Sequence, residues 1–393
     1  MKQIKCLTSL RFFAAAMIVV LHSNAFRIWD NSKSPFPLGQ GVSFFFVLSG
    51  FILTYVYPSL SGGHRIRDFY VARIARIWPA HFVTFLLLLW LIPSGGWAWN
   101  GTWQIVAANL FLVHGWIPTA SYYFSFNGVS WSISTEAFFY LAFPILIWRL
   151  DRSWWWKLLC TAAFVAAVLC LTDLLKLPPH DPKNYSQVTA HGLAYINPLV
   201  RILEFVFGMA VASLCVRWRE LKIVTSSPAW LWTIFELGAL AVTLWSGWYG
   251  TRLVCSLFDG RSQHAFALYA GVCASFPAFG MLIGVLSFER GIVSRFLSTG
   301  LLVLLGEMSY SIYLVHQIII RWYSLHQGRF ASVPKTMLYI AYWLTVLGLS
   351  FTIWRVVEKP CQRWIRSLFG PKRGAMPITV SVPTVTEAID SRR

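Results

Sequence analysis

The sequence carries little charge for its length. Of its 393 residues, 12% are charged and only 15 are acidic, whereas 57% are hydrophobic. Soluble domains average about 25% charged residues, so this chain cannot coat two or three water-soluble domains. Its 21 tryptophans, 30 phenylalanines and 15 tyrosines also exclude a disordered chain, because so much aromatic surface would not stay in water. The composition predicts a membrane protein with several spans, whose tryptophans suit the membrane–water boundaries.

The seven cysteines show neither a disulfide framework nor a metal site. Their number is odd, no CxxC pair occurs, and most of them lie in apolar runs. The histidine and cysteine spacings that hold zinc are also missing from the sequence. We interpret the cysteines as small buried side chains, and we expect no metal and no permanently bound cofactor.

Ten apolar stretches are long enough to cross a membrane, which takes about 20 helical residues. An eleventh stretch, residues 103–114, is about 12 residues long, the length of a re-entrant or interfacial segment. The ten predicted spans are residues 7–25, 41–57, 77–92, 129–149, 155–174, 197–216, 229–246, 264–286, 299–319 and 336–357.

The basic residues support a count of ten. If residues 103–114 do not cross, 23 of the 33 lysines and arginines fall on one side of the membrane. Positively charged loops stay in the cytoplasm. We therefore predict an all-α integral membrane protein of about ten transmembrane helices, with both termini cytoplasmic and one short re-entrant or interfacial helix. This topology explains the net charge of +18, so no nucleic-acid partner is expected.

The chain divides into one long membrane domain and a short tail. Residues 1–366 form the predicted transmembrane domain. Residues 367–393 are polar and contain Pro371 and Pro377, and we expect them to be a disordered cytoplasmic tail. No internal repeat stands out, which argues against a transporter built from inverted repeats.

Arg11 and His22 lie on one face of the first predicted span. Eleven residues at 100° each make three turns plus about 20°, and they rise about 16 Å along the helix axis. Imidazole has a pKa of about 6.5, so His22 is the best candidate for a general base. The alternative is that Arg11 anchors the helix at the membrane surface and His22 is an interfacial residue.

Three further charged residues are candidates for function, because charge at membrane depth is costly. Glu136, in the fourth span, lies at a depth that suits contact with His22, where a carboxylate orients an imidazole. The alternative is a protonated acid bonded to nearby hydroxyls. Arg73 and Arg76 share one helix face and are suited to clamp a phosphate. The alternative is that they are ordinary positive charge on the cytoplasmic side. Pro79 is predicted in the first turn of the helix that follows them.

Six motifs spread over about 360 residues identify the chain as similar to a known family. Together they resemble acyltransferase family 3, the membrane O-acyltransferases of bacterial surface polysaccharides, in its stand-alone form. The motifs are residues 7–11 with His22, residues 46–51, the pair Arg73 and Arg76, residues 131–136, residues 309–314 with His316, and residues 357–360. Glu307 departs from the apolar or small residue expected there, and neither Glu307 nor Glu236 has an assigned role.

The resemblance implies transfer of an acyl group, usually acetyl, in the bacterial inner membrane. The donor would be acyl-CoA, and the acceptor a sugar hydroxyl of an exopolysaccharide, a lipopolysaccharide, a related glycan or a lipid-linked saccharide. His22 would deprotonate this hydroxyl or carry the acyl group itself, and Glu136 would orient His22. The remaining roles are acyl-CoA binding by Arg11, Arg73 and Arg76, an oxyanion contact by Ser132 or Ser134, and support by Tyr310 and His316.

Two functions without this chemistry remain open from the sequence. A transporter or flippase of glycan precursors would use the same intramembrane His, Glu and Arg residues as a proton relay. A structural subunit of an export complex would need none of them.

Overall fold

A computed structural model describes residues 3–28, 37–60, 62–92, 103–179, 184–219, 221, 226–258 and 265–369. Ten helices in these ranges are long and apolar enough to cross a membrane, which confirms the predicted number. They are α1 Lys5–Phe26, α2 Leu38–Val56, α3 Gly63–Leu91, α4 Gly128–Ile147, α5 Leu150–Leu174, α6 Gly192–Arg219, α7 Ala229–Ser256, α8 Ala265–Leu286, α9 Gly300–Phe330 and α10 Lys335–Phe369.

The doubtful eleventh stretch forms only the short helix Trp103–Leu110. Its eight residues rise about 12 Å, far less than the roughly 30 Å of a bilayer core. The chain continues through a turn at His114–Trp116 and meets residues 184–190, where Thr119 pairs with Val188. Residues 103–127 therefore stay at one end of the bundle.

Several helices are longer than the hydropathy pattern predicts, and two of them change a prediction. Helix α3 begins at Gly63, 14 residues before the predicted start. The hydropathy pattern misses its first half because that half is basic. Pro79 consequently lies in the interior of α3, and the prediction that it opens a helix is wrong. Helix α10 extends to Phe369 and so crosses the expected domain boundary at residue 366. The rest of the predicted tail, residues 370–393, lies outside the described residues.

The core of the bundle is built around α2, α4, α6 and α9, most of whose residues in the membrane-spanning part are buried. Helices α5, α7 and α10 are mostly exposed and would face lipid. This arrangement explains the even distribution of apolar residues in the sequence, because lipid and protein interior both favour them.

Glycines allow the central helices to pack with their backbones in contact. A Cβ atom added to Gly50 of α2 would lie 2.0 Å from the carbonyl oxygen of Phe205, and one added to Gly208 of α6 would lie 2.0 Å from that of Val47. Small residues permit such close helix approach in membranes. The α2–α6 contact thus fixes these two central helices against each other.

We expect Gly208→Ala to destabilise the protein, because the new methyl group requires the α2 backbone to move. Overpacking of this kind costs about 1–3 kcal/mol. Gly348→Ala in α10 is the matched control, since no atom lies within 4 Å of its added Cβ and alanine favours a helix. Thermal unfolding in detergent should show a lower midpoint for Gly208→Ala alone. Equal midpoints for both variants would contradict the close packing.

The basic ends of the helices meet at one end of the bundle, which we call the basic end. The backbone N–H of Lys5 donates to Glu289 Oε1 (3.0 Å), and Arg67 Nη2 donates to the carbonyl oxygen of Phe369 (3.0 Å). Arg219 Nη1 donates to Tyr55 Oη (2.9 Å). These contacts bring the starts of α1 and α3 beside the ends of α2, α6, α8 and α10. The cytoplasmic location of this end stays a prediction.

Candidate functional site

A cavity between α1, α2, α3, α4 and α9 contains most of the predicted site. Apolar side chains such as Val42 and Phe46 form part of its wall. Six of the nine predicted site residues line it, contributed by four different helices. These six are Arg11, Arg73, Arg76, Ser132, Glu136 and Tyr310.

Arg11 projects into this cavity from α1. Among the described residues it has no hydrogen bond and no ion pair, although it interacts electrostatically with Arg76 and Glu136. A cation without a direct partner in a mostly apolar cavity is costly. Arg11 is therefore available to a negatively charged or strongly polar ligand.

Arg73 and Arg76 share one face of α3, as their spacing predicts. Arg76 Nη1 lies 3.5 Å from Glu358 Oε2, and the Arg73 guanidinium lies 5.7 Å from the ring centre of Tyr140. Two buried N–H groups, at Arg73 Nε and Arg76 Nη2, have no hydrogen-bond partner in the described part of the chain. Because buried donors are rarely left unpaired, the pair is suited to bind an anion.

Glu136 is bonded to a neighbour on its own helix. It accepts a hydrogen bond from the hydroxyl of Tyr140, one turn further along α4. The expected contact between Glu136 and His22 is wrong, since no hydrogen bond joins these two described residues. The reason is depth: Glu136 lies eight residues, or about 12 Å, from the start of α4, deeper than the histidine near the end of α1.

His22 is paired with His316 of α9 instead. The two atoms in contact are His22 Nδ1 and His316 Nε2, 3.1 Å apart. Each ring also places its Nδ1 near a carbonyl oxygen one turn back, that of Ile18 for His22 (3.0 Å) and that of Ile312 for His316 (3.3 Å). A nitrogen that bonds to a carbonyl oxygen carries the proton. Both rings are thereby assigned as Nδ1–H tautomers, which leaves Nε2 of His22 as the basic nitrogen.

Tyr313 separates the histidine pair from the cavity. It lines the cavity, and its ring centre lies 5.8 Å from that of His316. Its hydroxyl is 2.8 Å from Ser132 Oγ and donates to the carbonyl oxygen of Val129 (3.0 Å). Neither His22 nor His316, both described, lines the cavity, so Tyr313 and Ser132 form the wall between them.

Ser134 and Tyr310 have structural contacts. Ser134 Oγ accepts the backbone N–H of Gly115 (3.3 Å) and lies outside the cavity lining. Nearby, burial lowers the pKa of His114 to about 3, so this ring is neutral. Tyr310 lines the cavity, and its hydroxyl donates to the carbonyl oxygen of Ile77 (2.7 Å), which fixes α9 against α3.

The structure assigns contacts to both unexplained glutamates. Glu236 accepts backbone N–H groups of Gly291, Val293 and Ser294 at 2.9–3.1 Å, and so caps the short helix Ile292–Leu297. Glu307 forms an ion pair with Lys359 (3.2 Å). Neither carboxylate lines the cavity described above, and both have a structural role.

Three residues at or beside the cavity, Tyr140, Tyr313 and Glu358, were missed by sequence reasoning as functional groups. Tyr140 looks like one of many aromatic residues in an apolar run. Glu358 belongs to a motif, but nothing in the sequence reveals that Arg76 and Ser311 are its partners. Glu358 is buried and accepts from Ser311 Oγ at 2.5 Å. It lies at the end of a π-helical turn, Trp354–Glu358, a feature common at functional sites.

Comparison with known proteins points to one family. A sequence model described as an acyltransferase domain matches residues 4–355. The acyltransferase MdmB of Streptomyces mycarofaciens is 28% identical, over 97% of each chain. Nodulation protein 10 of Rhizobium leguminosarum is 26% identical, over 91% of this chain and 93% of its own. A putative peptidoglycan O-acetyltransferase of Bacillus subtilis is 25% identical, over 80% of this chain and 48% of its own. No solved structure matches.

Proposed function

Because the chain belongs to acyltransferase family 3, we propose that this multi-pass membrane O-acyltransferase moves an acetyl group from acyl-CoA to a sugar hydroxyl. The acceptor would be an exopolysaccharide, a lipopolysaccharide, a related glycan or a lipid-linked saccharide of the bacterial inner membrane. The observation that carries the proposal is one cavity that joins Arg11, Arg73 and Arg76. The putative peptidoglycan O-acetyltransferase among the relatives supports the choice of an acetyl group and a glycan.

The proposed donor site is the cavity and its mouth at the basic end. Acyl-CoA carries several negative charges on phosphates at one end and a thioester at the other. Guanidinium groups bind phosphates through paired hydrogen bonds, and Arg73 and Arg76 both have buried N–H groups left unpaired among the described residues. The phosphates would stay at the basic end, which we take as cytoplasmic, and the thioester would reach towards Arg11.

His22 is the proposed general base. Its Nε2 would take the proton of the sugar hydroxyl, and the oxygen would then form a bond to the thioester carbonyl carbon. When the carbon–sulfur bond breaks, the leaving CoA thiolate would take that proton from His22 and leave as the thiol. The imidazolium formed in between would be stabilised by the Ile18 carbonyl oxygen and by His316, both within 3.1 Å of Nδ1. An acyl group carried briefly on His22 would use the same atoms.

Tyr313 must move for the thioester to reach His22. Its side chain stands between the cavity and the histidine pair, and its hydroxyl has the two hydrogen-bond partners described above, Ser132 and Val129. Tyr313 is buried, so its movement needs the μs–ms motions by which closed sites open, which are still as fast as typical turnover. The wall is therefore compatible with catalysis and would keep water away from the thioester in the resting protein.

A direct assay separates this proposal from a transporter without chemistry. Purified protein in lipid vesicles would be incubated with acetyl-CoA labelled in the acetyl group and with a glycan acceptor. The proposal predicts labelled glycan, in amounts that grow with time and protein. Movement of the glycan across the vesicle membrane without label on it would support the transporter and contradict the proposal.

His316 is a positioning residue in this mechanism, and we expect His316→Ala to lower kcat about tenfold to a hundredfold. The Ile18 carbonyl oxygen would still fix the tautomer of His22, so the loss should be smaller than that from removing the base itself. The pH at which kcat is half-maximal should shift, because His22 loses a partner of its protonated form. An unchanged pH profile together with an unchanged kcat would show that the pair has no role in acyl transfer.

A further inference from the structure

The last part of α10, Lys359–Phe369, is a basic amphipathic helix that we call the terminal segment. Lys359, Arg363 and Arg366 are spaced four and three residues apart and share one face. Trp364 and Leu368 lie on the opposite face, where 63% and 55% of their surfaces are exposed. The apolar face is suited to the lipid boundary, and the basic face points away from it.

The basic face forms an open groove with uncompensated charge. Arg355, Lys359, Gln362, Arg363 and Arg366 line this groove. Lys359 is paired with Glu307 (3.2 Å), whereas the three arginines have no carboxylate partner within the ranges that the structure describes. Three guanidiniums in one groove attract ligands that carry several negative charges.

The groove lies beside two of the arginines that line the cavity. Arg366 lies close enough to Arg73 and Arg76 to interact with them electrostatically, and both of these arginines line the cavity. Arg67 of α3 donates to the carbonyl oxygen of Phe369 (3.0 Å), which fastens the terminal segment to the helix that carries the pair. Arginines thus follow one another from the groove to the interior of the cavity.

We propose that this groove is a phosphate-binding site for the nucleotide end of the acyl donor, held there while the acyl end enters the cavity; this rests on the proposed function. In acyl-CoA a flexible arm separates the thioester from a pyrophosphate and a ribose 3′-phosphate. More phosphate groups are present than Arg73 and Arg76 can pair with bidentately, and the groove supplies the additional guanidiniums. An anionic lipid headgroup shares the phosphate chemistry, and the test below distinguishes the two sources.

The first measurement is binding of adenosine 3′,5′-bisphosphate, which carries the nucleotide phosphates without a thioester. Calorimetry on the protein in phosphatidylcholine nanodiscs should show binding that the double variant Arg363→Gln with Arg366→Gln weakens about a hundredfold, at about tenfold for each charged contact. Arg366→Lys should keep most of the affinity. Arg152→Gln is the control, because Arg152 lies at the start of α5, is 83% exposed and is paired with Asp151 (3.6 Å).

The second measurement identifies the ligand phosphate. The double variant should raise KM for acetyl-CoA at least tenfold more than KM for 3′-dephospho-acetyl-CoA. Equal bisphosphate binding by the double variant and the unmodified protein would overturn the proposal. So would a double variant that loses affinity only for phosphatidylglycerol vesicles and keeps its affinity for the bisphosphate. Binding of the bisphosphate needs no acyl transfer, so a protein that binds it without transferring acetyl would refute the proposed function alone.

Discussion

Replacing His22 with alanine is expected to lower kcat for acetyl transfer about a thousandfold, while the protein still folds and reaches the membrane. Removing a general base costs about 10²–10⁴ in rate, and no other described imidazole except His316 contacts this position. The side chain of His22 contacts Ile18 and His316 through its Nδ1, so the change removes two hydrogen bonds and leaves no buried charge without a partner. Initial rates of label transfer by purified protein give the measurement.

His326→Ala is the matched control for this variant. His326 lies in α9 and, like His22 in α1, has its Nδ1 bonded to a carbonyl oxygen one turn back, that of Trp322 (2.8 Å). It does not contact His22, and we expect its variant to keep the full rate. Normal acetylation by His22→Ala would refute the assignment of the base, and an equal loss in both variants would show a general effect on the fold.

Replacing Arg73 with glutamine is expected to raise KM for acetyl-CoA about tenfold to a hundredfold with little change in kcat. An interaction with phosphates far from the reacting carbon contributes equally to the ground state and the transition state. Among the described residues Arg73 has no ion pair, so its removal leaves no buried carboxylate without a partner. Steady-state kinetics at several acetyl-CoA concentrations separate the two constants.

Arg76→Gln provides the contrast, because Arg76 is paired with the buried Glu358 (3.5 Å). Its loss leaves that carboxylate without its cation, and we expect lower thermal stability together with a higher KM. Arg73→Lys should recover part of the affinity, because lysine keeps the charge but lacks the planar donor pair. A lower kcat with unchanged KM in Arg73→Gln would place this residue outside the donor site.

The sequence predicts the ten membrane helices well because the bilayer imposes a simple rule of length and hydropathy. It fails at the start of α3, which it places 14 residues too late, because a basic segment does not fit the hydropathy rule. In this segment Arg73 and Arg76 are helical and line the cavity, which compensates for their polarity. A hydropathy rule that assumes lipid on all sides cannot recognise such a helix.

The sequence also points to nine candidate residues, but it does not reveal their partners. Six of the nine line one cavity, yet Glu136 is bonded to Tyr140 and His22 to His316. Depth estimated from position along a helix gives one coordinate, whereas a contact also depends on helix rotation and packing. The contact between Arg76 and Glu358 joins residues 282 positions apart, a separation at which sequence spacing carries no information about distance.

In the proposed reaction the donor enters at the basic end, and the acyl group leaves near His22, at the other end of the helix that carries Arg11. The most direct test uses sealed proteoliposomes sorted by which end of the protein faces outwards, as reported by a tag after residue 393. Labelled acetyl-CoA, which cannot cross the membrane, would be supplied outside and the glycan acceptor enclosed inside. Labelled acceptor is expected only in vesicles in which the basic end of the protein faces outwards; label transfer only in vesicles of the opposite orientation would contradict this direction of transfer.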